Sequence, residues 1–317
     1  MLNEILISVI LPTDTYATIR PVIDRLRRQT VHDRIEVVLV TPSAEAMRGV
    51  EAHFADFAAI RIVESPIANL ADARAVGIRA ATAPFVFLGE THSYPDPDLA
   101  EILIGRLSGS WPACIPAFSN ANPNGPWSGA GFLCDYGLWM EERPAGEIQA
   151  APLYNAAYRR PVLLELGDEL ASAFAHGDQL SIMLRAAGHQ VYFEPSAKLA
   201  HVNIAQPWHW IKERYLAGLL IANARSRRWP LSRRLFYLLG SPLIPLVLLW
   251  RLLPAIRRSK REAPLTSMTM PLVGLGMVLK AIGEFAGYAG APPEHAEEAM
   301  TEYEVHKLAY AGRGRSQ

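Results

Sequence analysis

The chain has 317 residues, half of them apolar, with 31 basic side chains against 31 acidic ones and a formal net charge of zero. That length suits one large domain with an appendage or two domains, and the apolar half suffices for a sizeable core. A general nucleic-acid partner is excluded, because no domain-wide basic excess exists to release counterions from a phosphate backbone. The two cysteines, Cys114 and Cys134, lack metal-type spacing and fit a reducing cytosolic setting. Met1-Leu2-Asn3-Glu4 lacks the basic start of a secretory signal.

Ile5 to Leu11 is a β-branched apolar run ended by Pro12-Thr13-Asp14, which predicts a first strand. Ile19, Val22, Ile23 and Leu26 share one face of a following helix, and Ile35 to Val40 reads as the second strand. Ala44 to Phe57 is expected to be helical and Ile60 to Val63 to be a third strand. Asn69 caps a helix that Pro84 prevents from running past Ala81. Phe85 to Leu88 is too short and too uniformly apolar for a half-solvated strand, which places it mid-sheet with both faces covered. Glu90 and His92 then stand at that strand's C-terminal end, where open α/β sheets put their chemistry. The series predicts an α/β fold, a mostly parallel central sheet covered by helices on both faces. No Gly-x-Gly-x-x-Gly or Gly-Lys-Ser/Thr loop follows any of these strands.

Further along, Asp98 to Leu107 reads as a helix, Ala113 to Phe118 as a strand and Ser119 to Pro126 as a polar turn-rich loop. Tyr154 to Leu166 contains a short helix closed by Gly167, and His176 to Ala187 reads as a longer one closed by Gly188. Gln190 to Phe193 is strand-like, with Ala200-His201-Val202 just beyond.

The last third is built differently. Between Glu213 and Glu262 no acidic residue occurs, while ten arginines and Lys260 fall there. Leu235 to Leu253 is almost wholly apolar and about 19 residues long, near the ~20 that cross a bilayer core. Pro271 to Ala291 is a weaker apolar stretch interrupted by Lys280 and Glu284. A full crossing would separate the basic Arg257 to Arg261 loop from the equally basic Arg225 to Arg234 flank, against the positive-inside tendency. Pro242, Pro245 and Pro254 favour a bent hairpin, so the expectation is a C-terminal helical membrane-associated region. It would lie in the cytoplasmic leaflet with Trp229 and Trp250 near the interface. A buried helical hairpin of a soluble protein is the alternative. The expected domains are 1–225, the basic and apolar segment 226–291, and a polar tail 292–317.

Several segments, taken in order, resemble family 2 glycosyltransferases over roughly residues 5 to 225. They are Ser8-Val9-Ile10-Leu11-Pro12-Thr13, Gln29-Thr30, Ile35 to Val40, the Ala73-Arg74 helix with its following strand, and Asn155-Ala156-Ala157-Tyr158-Arg159-Arg160. Gly177-Asp178, Ala187-Gly188-His189, and Pro195 followed by His201 complete the series. The resemblance implies the A-type glycosyltransferase fold, a nucleotide-sugar donor and transfer with inversion at the anomeric carbon. Departures are specific. Thr41-Pro42-Ser43 stands where the family carries an acidic pair that grips the nucleoside, and Gly89-Glu90-Thr91-His92 replaces the Asp-x-Asp metal motif. Ala75 stands for Asn, and Gly177 precedes Asp178 where Glu-Asp is usual.

Under this resemblance Glu90, His92 and His201 are the candidate metal ligands, their oxygen and nitrogen donors suiting Mn or Mg. Asp178 is the candidate base, with His176 a weaker substitute. Its bland reading is a carboxylate favoured by the dipole of the helix it begins. Thr13, Asp14 and Arg74 are candidate donor-binding residues, against which stand turn formation and an ordinary helix-surface arginine. Asn120, Asn122, Trp127 and Tyr136 fall on the expected acceptor side. The expected activity is an inverting glycosyltransferase acting on a hydroxyl of a cell-surface glycan or lipid-linked precursor, at the cytoplasmic face of the cell membrane. A catalytically dead relative serving as a membrane-bound glycan-binding or assembly subunit is the alternative. A nucleotidyltransferase is a second alternative, although Pro12-Thr13-Asp14-Thr15 is not its Gly-rich basic loop.

Overall fold

The computed structural model describes residues 4–175, 179–259 and 268–312. Its elements begin with β1 (Ile7–Pro12), α1 (Tyr16–Leu26), β2 (Ile35–Thr41), β3 (Ala59–Glu64), α2 (Leu70–Ala80), β4 (Phe85–Leu88), β5 (Ser93–Pro95) and α3 (Leu99–Ser108). Next come β6 (Ala113–Asn120), α4 (Pro126–Tyr136), β7 (Gly146–Ile148), β8 (Ala157–Arg159), α5 (Arg160–Leu164), α6 (Leu170–Ala173), α7 (Gln179–Ala186) and β9 (Val191–His201). Helices α8 (Pro207–Ser226), α9 (Leu231–Gly240), α10 (Ile244–Ser259), α11 (Thr269–Ala289), α12 (Glu294–Val305) and α13 (Lys307–Tyr310) finish the described chain.

The strands form one sheet in the order β3-β2-β1-β4-β8-β6-β9-β5, with β7 also pairing β9. Strands β1 to β4 are parallel neighbours, as their apolar runs and intervening helices dictate. Beyond them the sheet turns antiparallel, at β4 with β8, β8 with β6, and β7 with β9. The fold is the expected α/β sheet covered by helices, mixed rather than purely parallel. The cause is β8, whose three residues pair with β4 and β6 just ahead of α5, the short helix expected within Tyr154 to Leu166. Ala44 to Phe57, expected to be helical, instead gives two short 3-10 turns, Ala44–Met47 and Glu51–Phe54, separated by Gly49 at φ +78°. Helix α2 starts as its sequence predicts, the Asn69 side chain accepting from the amides of Ala71 and Asp72.

The chain divides into two compact units, Met1–Phe118 with Pro144–Ala200, and Ser119–Arg143 with His201–Gln317. The first holds the sheet, apart from the last residues of β6 and β9. Ile7, Ile10, Leu11, Val37, Leu39, Val86 and Leu88 are buried at its centre. Gly77 brings α2 tight against it, since a Cβ there would lie 2.5 Å from Ile10 Cγ2. Glu36 of β2 is fully buried and accepts from Ser8 Oγ at 2.5 Å, the Thr82 amide at 2.8 Å and Arg61 Nε at 3.2 Å. Burial pushes its carboxyl up, but these donors outweigh burial and hold it below the ordinary value.

The second unit is helical. Helices α8 and α11 meet backbone to backbone: a Cβ on Gly218 would lie 2.0 Å from the Lys280 carbonyl oxygen, and one on Gly283 2.0 Å from that of Tyr215. Arg214 of α8 is buried and donates to both oxygens of Asp135 at 2.6 Å and to Glu213 at 2.5 Å. Burial opposes the charge on each partner, yet the Arg214 cation holds the Asp135 carboxyl below its ordinary value. The segment expected as a polar tail folds into α12 and α13, with Ala296, Tyr303 and Val305 buried and Tyr303 OH 3.1 Å from His209 Nδ1. By contrast, only 11% of the apolar window in Leu231–Arg258 is buried, against 50% for Thr269–Ala289.

Candidate active site

From β1 the chain passes through β2 to β3 on one side, whereas β4 flanks β1 on the other. The crevice between the C-terminal ends of β1 and β4 is therefore the topological switch point of the parallel half, the place where such sheets bind ligands. Gly89 lets the end of β4 lie flush on β1: its amide donates to Ile10 O at 3.0 Å, and a Cβ there would meet Leu11 Cδ2 at 2.6 Å. The chain then delivers Glu90 and His92 at this end.

Both side chains are buried, at 4% and 0% exposure. Three contacts converge on Glu90 Oε2: Asn155 Nδ2 at 2.5 Å, Ser93 Oγ at 2.9 Å and His92 Nε2 at 3.4 Å. His92 Nδ1 lies 3.2 Å from Thr91 Oγ1. Such a cluster of carboxylate and imidazole in a dry strand end offers a hard oxygen and a borderline nitrogen to a divalent cation. Ser93 and Asn155 carry no role in the sequence reading. The signals available for Asn155 were its place at the head of the Asn155 to Arg160 segment and its residue type, because asparagine is enriched at left-handed backbone positions and this one has φ +58°.

Arg74 is only 2% exposed. Its Cζ sits 3.3 Å from the centroid of the Tyr154 ring, and Nη1 reaches Leu70 O at 3.4 Å. Its Nε is buried without a hydrogen-bond partner, and among the described residues the guanidinium has no carboxylate partner. This is not the helix-surface arginine of the bland reading. Thr13 and Asp14 shape the turn from β1 into α1: Thr13 Oγ1 donates to Thr15 O at 3.1 Å, and Asp14 Oδ1 accepts the Thr15 amide at 2.7 Å. Thr15 in turn caps α1. Thr41, at the family's acidic position, donates to Asp14 O at 3.3 Å.

His201 ends β9 and belongs to the second unit. It is buried, with Nδ1 3.1 Å from Asn203 Oδ1 and its ring 4.3 Å from that of Tyr136. Asn203 is itself held by Asn120 and Asn122, so those two residues serve a local polar network. Trp127 packs on Trp210 with ring centroids 5.3 Å apart. His176 and Asp178 lie outside the described residues.

No protein-family model matches the chain, and no curated protein matches it. Among solved structures, the chain is similar to Staphylococcus aureus TarS 1-349 in complex with UDP, at 16% identity and a TM-score of 0.46, over 98% of this chain and 93% of that one. It is also similar to the mannosyltransferase PcManGT from Pyrobaculum calidifontis in complex with GDP-Man and Mn2+, at 16% identity and a TM-score of 0.48, over 99% and 89%. A third similar structure is GalNAc-T7 with UDP, GalNAc and Mn2+, at 14% identity and a TM-score of 0.46. There the likeness covers 63% of this chain, which spans only 44% of that protein's length.

Proposed function

We propose that the chain is an inverting glycosyltransferase that moves a sugar from a nucleotide-diphosphate donor to a hydroxyl of a cell-surface glycan or lipid-linked precursor. The observation that carries this reading is the buried Glu90–His92 pair at the β1/β4 switch point. The donor set fits Mn or Mg, with His201 as the proposed further ligand from the family order. A bound divalent ion would neutralise charge on the departing nucleoside diphosphate. Arg74, a buried guanidinium without a carboxylate partner among the described residues, is assigned to the diphosphate oxygens. Thr13 and Asp14 are assigned to the nucleoside from the turn after β1. Asp178 is assigned as the base that takes the acceptor hydroxyl's proton, so that Asp178→Asn keeps donor binding and lowers transfer by roughly 10²-fold or more.

The exposed apolar face of the second unit supports attachment to the cytoplasmic leaflet. Phe236, Leu239 and Trp250 are 72%, 78% and 73% exposed on α9 and α10, amid the run of arginines. Drawing α11 across a bilayer would take with it α8, whose Glu213 and Arg214 charges are costly in hydrocarbon. A helical face lying in the interface satisfies both constraints.

The test is donor hydrolysis. Incubated with nucleotide sugars and Mn2+ but no acceptor, the chain should slowly release nucleoside diphosphate, and chelator, Glu90→Gln or His92→Ala should each suppress release. Donor binding without release or transfer would instead make it a glycan-binding subunit.

A further inference from the structure

Asn155, two residues ahead of β8, is fully buried with left-handed backbone, φ +58°. A non-glycine residue keeps that conformation only where its surroundings over-determine it. Here its amide donates to Leu88 O at 2.7 Å, and its Nδ2 donates to Glu90 Oε2 at 2.5 Å and Ser93 Oγ at 3.0 Å. The preceding side chain, Tyr154, is stacked under Arg74. The amide orientation follows from chemistry: turned over, Oδ1 would face the Glu90 carboxylate, acceptor against acceptor. The same orientation leaves Oδ1 buried with no hydrogen-bond partner among the described residues. The backbone conformation suits asparagine, but the orphaned carbonyl does not serve stability, and unsatisfied buried polar groups call for a functional explanation.

We infer that Asn155 is a positioning residue for the candidate cation site: its Nδ2 fixes the Glu90 carboxylate in the orientation that receives a divalent ion. The inference rests on the reading of Glu90 and His92 as metal ligands. Partners of this kind, which orient a ligand without touching the metal, change metal affinity by about 10- to 100-fold.

Glycine adopts φ +58° without strain and removes the orphaned carbonyl together with the grip on Glu90. The full-length chain, its Asn155→Gly and Asn155→Ser variants, and Glu90→Gln are titrated with MnCl2 by calorimetry, and each is unfolded with urea. Asn155→Gly should bind Mn2+ at least tenfold more weakly while its unfolding midpoint stays near that of the parent. A purely structural role gives the reverse, a lowered midpoint with Mn2+ affinity within twofold of the parent, and overturns the inference. If Glu90→Gln weakens binding and Asn155→Gly does not, only the role of Asn155 falls. If the parent binds no Mn2+, the metal reading of Glu90 and His92 falls, and this inference with it. Should Asn155→Gly fail to fold, Asn155→Ser, whose hydroxyl is too short to reach Glu90, is judged by the same criterion; failure of both to fold makes Asn155 structural and overturns the proposal.

Discussion

The guanidinium carbon of Arg74 lies 3.3 Å from the centre of the Tyr154 ring, so a buried cation rests on a π face with no carboxylate beside it among the described residues. A cation–π contact returns about 2 kcal/mol when desolvated, less than the several kcal/mol that burying a charge costs. An incoming anion restores the balance. Arg74→Gln should therefore lower nucleoside diphosphate affinity roughly tenfold or more while leaving the unliganded chain's melting temperature unchanged or raised. Thermal shift with UDP and GDP reads both quantities. A lowered melting temperature with an undiminished ligand shift would make Arg74 a packing residue.

Glu36 gives the first unit an acid-sensitive point. Its folded carboxyl is held below the ordinary value of 4.5, so its contribution is fully present above that value and is lost as pH falls through the folded one. Glu36→Gln leaves Ser8 and the Thr82 amide with a weaker acceptor and should cost about 1–3 kcal/mol near neutral pH. Urea midpoints of the two proteins should converge as the pH is lowered from about 6 to about 3. A gap that stays constant through that range would show that Glu36 does not titrate with unfolding.

Two glycines of one helix should behave in opposite ways. At Gly283 a methyl group would meet the Tyr215 carbonyl oxygen at 2.0 Å, so Gly283→Ala must part α8 from α11 and should cost about 3 kcal/mol. At Gly274 nothing lies within 4 Å, and Gly274→Ala should gain up to about 1 kcal/mol from helix propensity. Paired urea unfolding curves decide it. Equal effects would refute the close packing of these helices.

The proposed membrane attachment is assigned to the exposed side chains Phe236, Leu239 and Trp250. Phe236→Glu with Leu239→Glu, and separately Trp250→Glu, should move the chain from vesicles containing anionic lipid into the soluble fraction, with its helical circular dichroism intact. High salt alone should release little, because apolar burial is not screened whereas the arginine contribution is. Continued sedimentation of both variants with vesicles would place the attachment elsewhere.

The amino-acid sequence alone determined the parallel half of the sheet. Apolar runs of four to seven residues in β1, β2 and β4 can be buried only by sheet neighbours and covering helices, and Asn69 and Pro84 bound α2 by local chemistry. Glu90 and His92 were legible for the same reason, since they follow a central strand. What only the tertiary structure decided depends on partners distant in the chain. Ala157–Arg159 becomes a strand because β4 and β6 offer it backbone hydrogen bonds, which turns the sheet mixed. Asn155 meets Glu90 across 65 positions of sequence, and Tyr154 meets Arg74 across a comparable span, so no local pattern could announce either contact. The same holds for the last segment: its polar composition suggests a tail, but Tyr303 and Val305 find a buried place in the second unit. Local periodicity reports which face of an element is apolar, and only the assembled chain decides what that face meets.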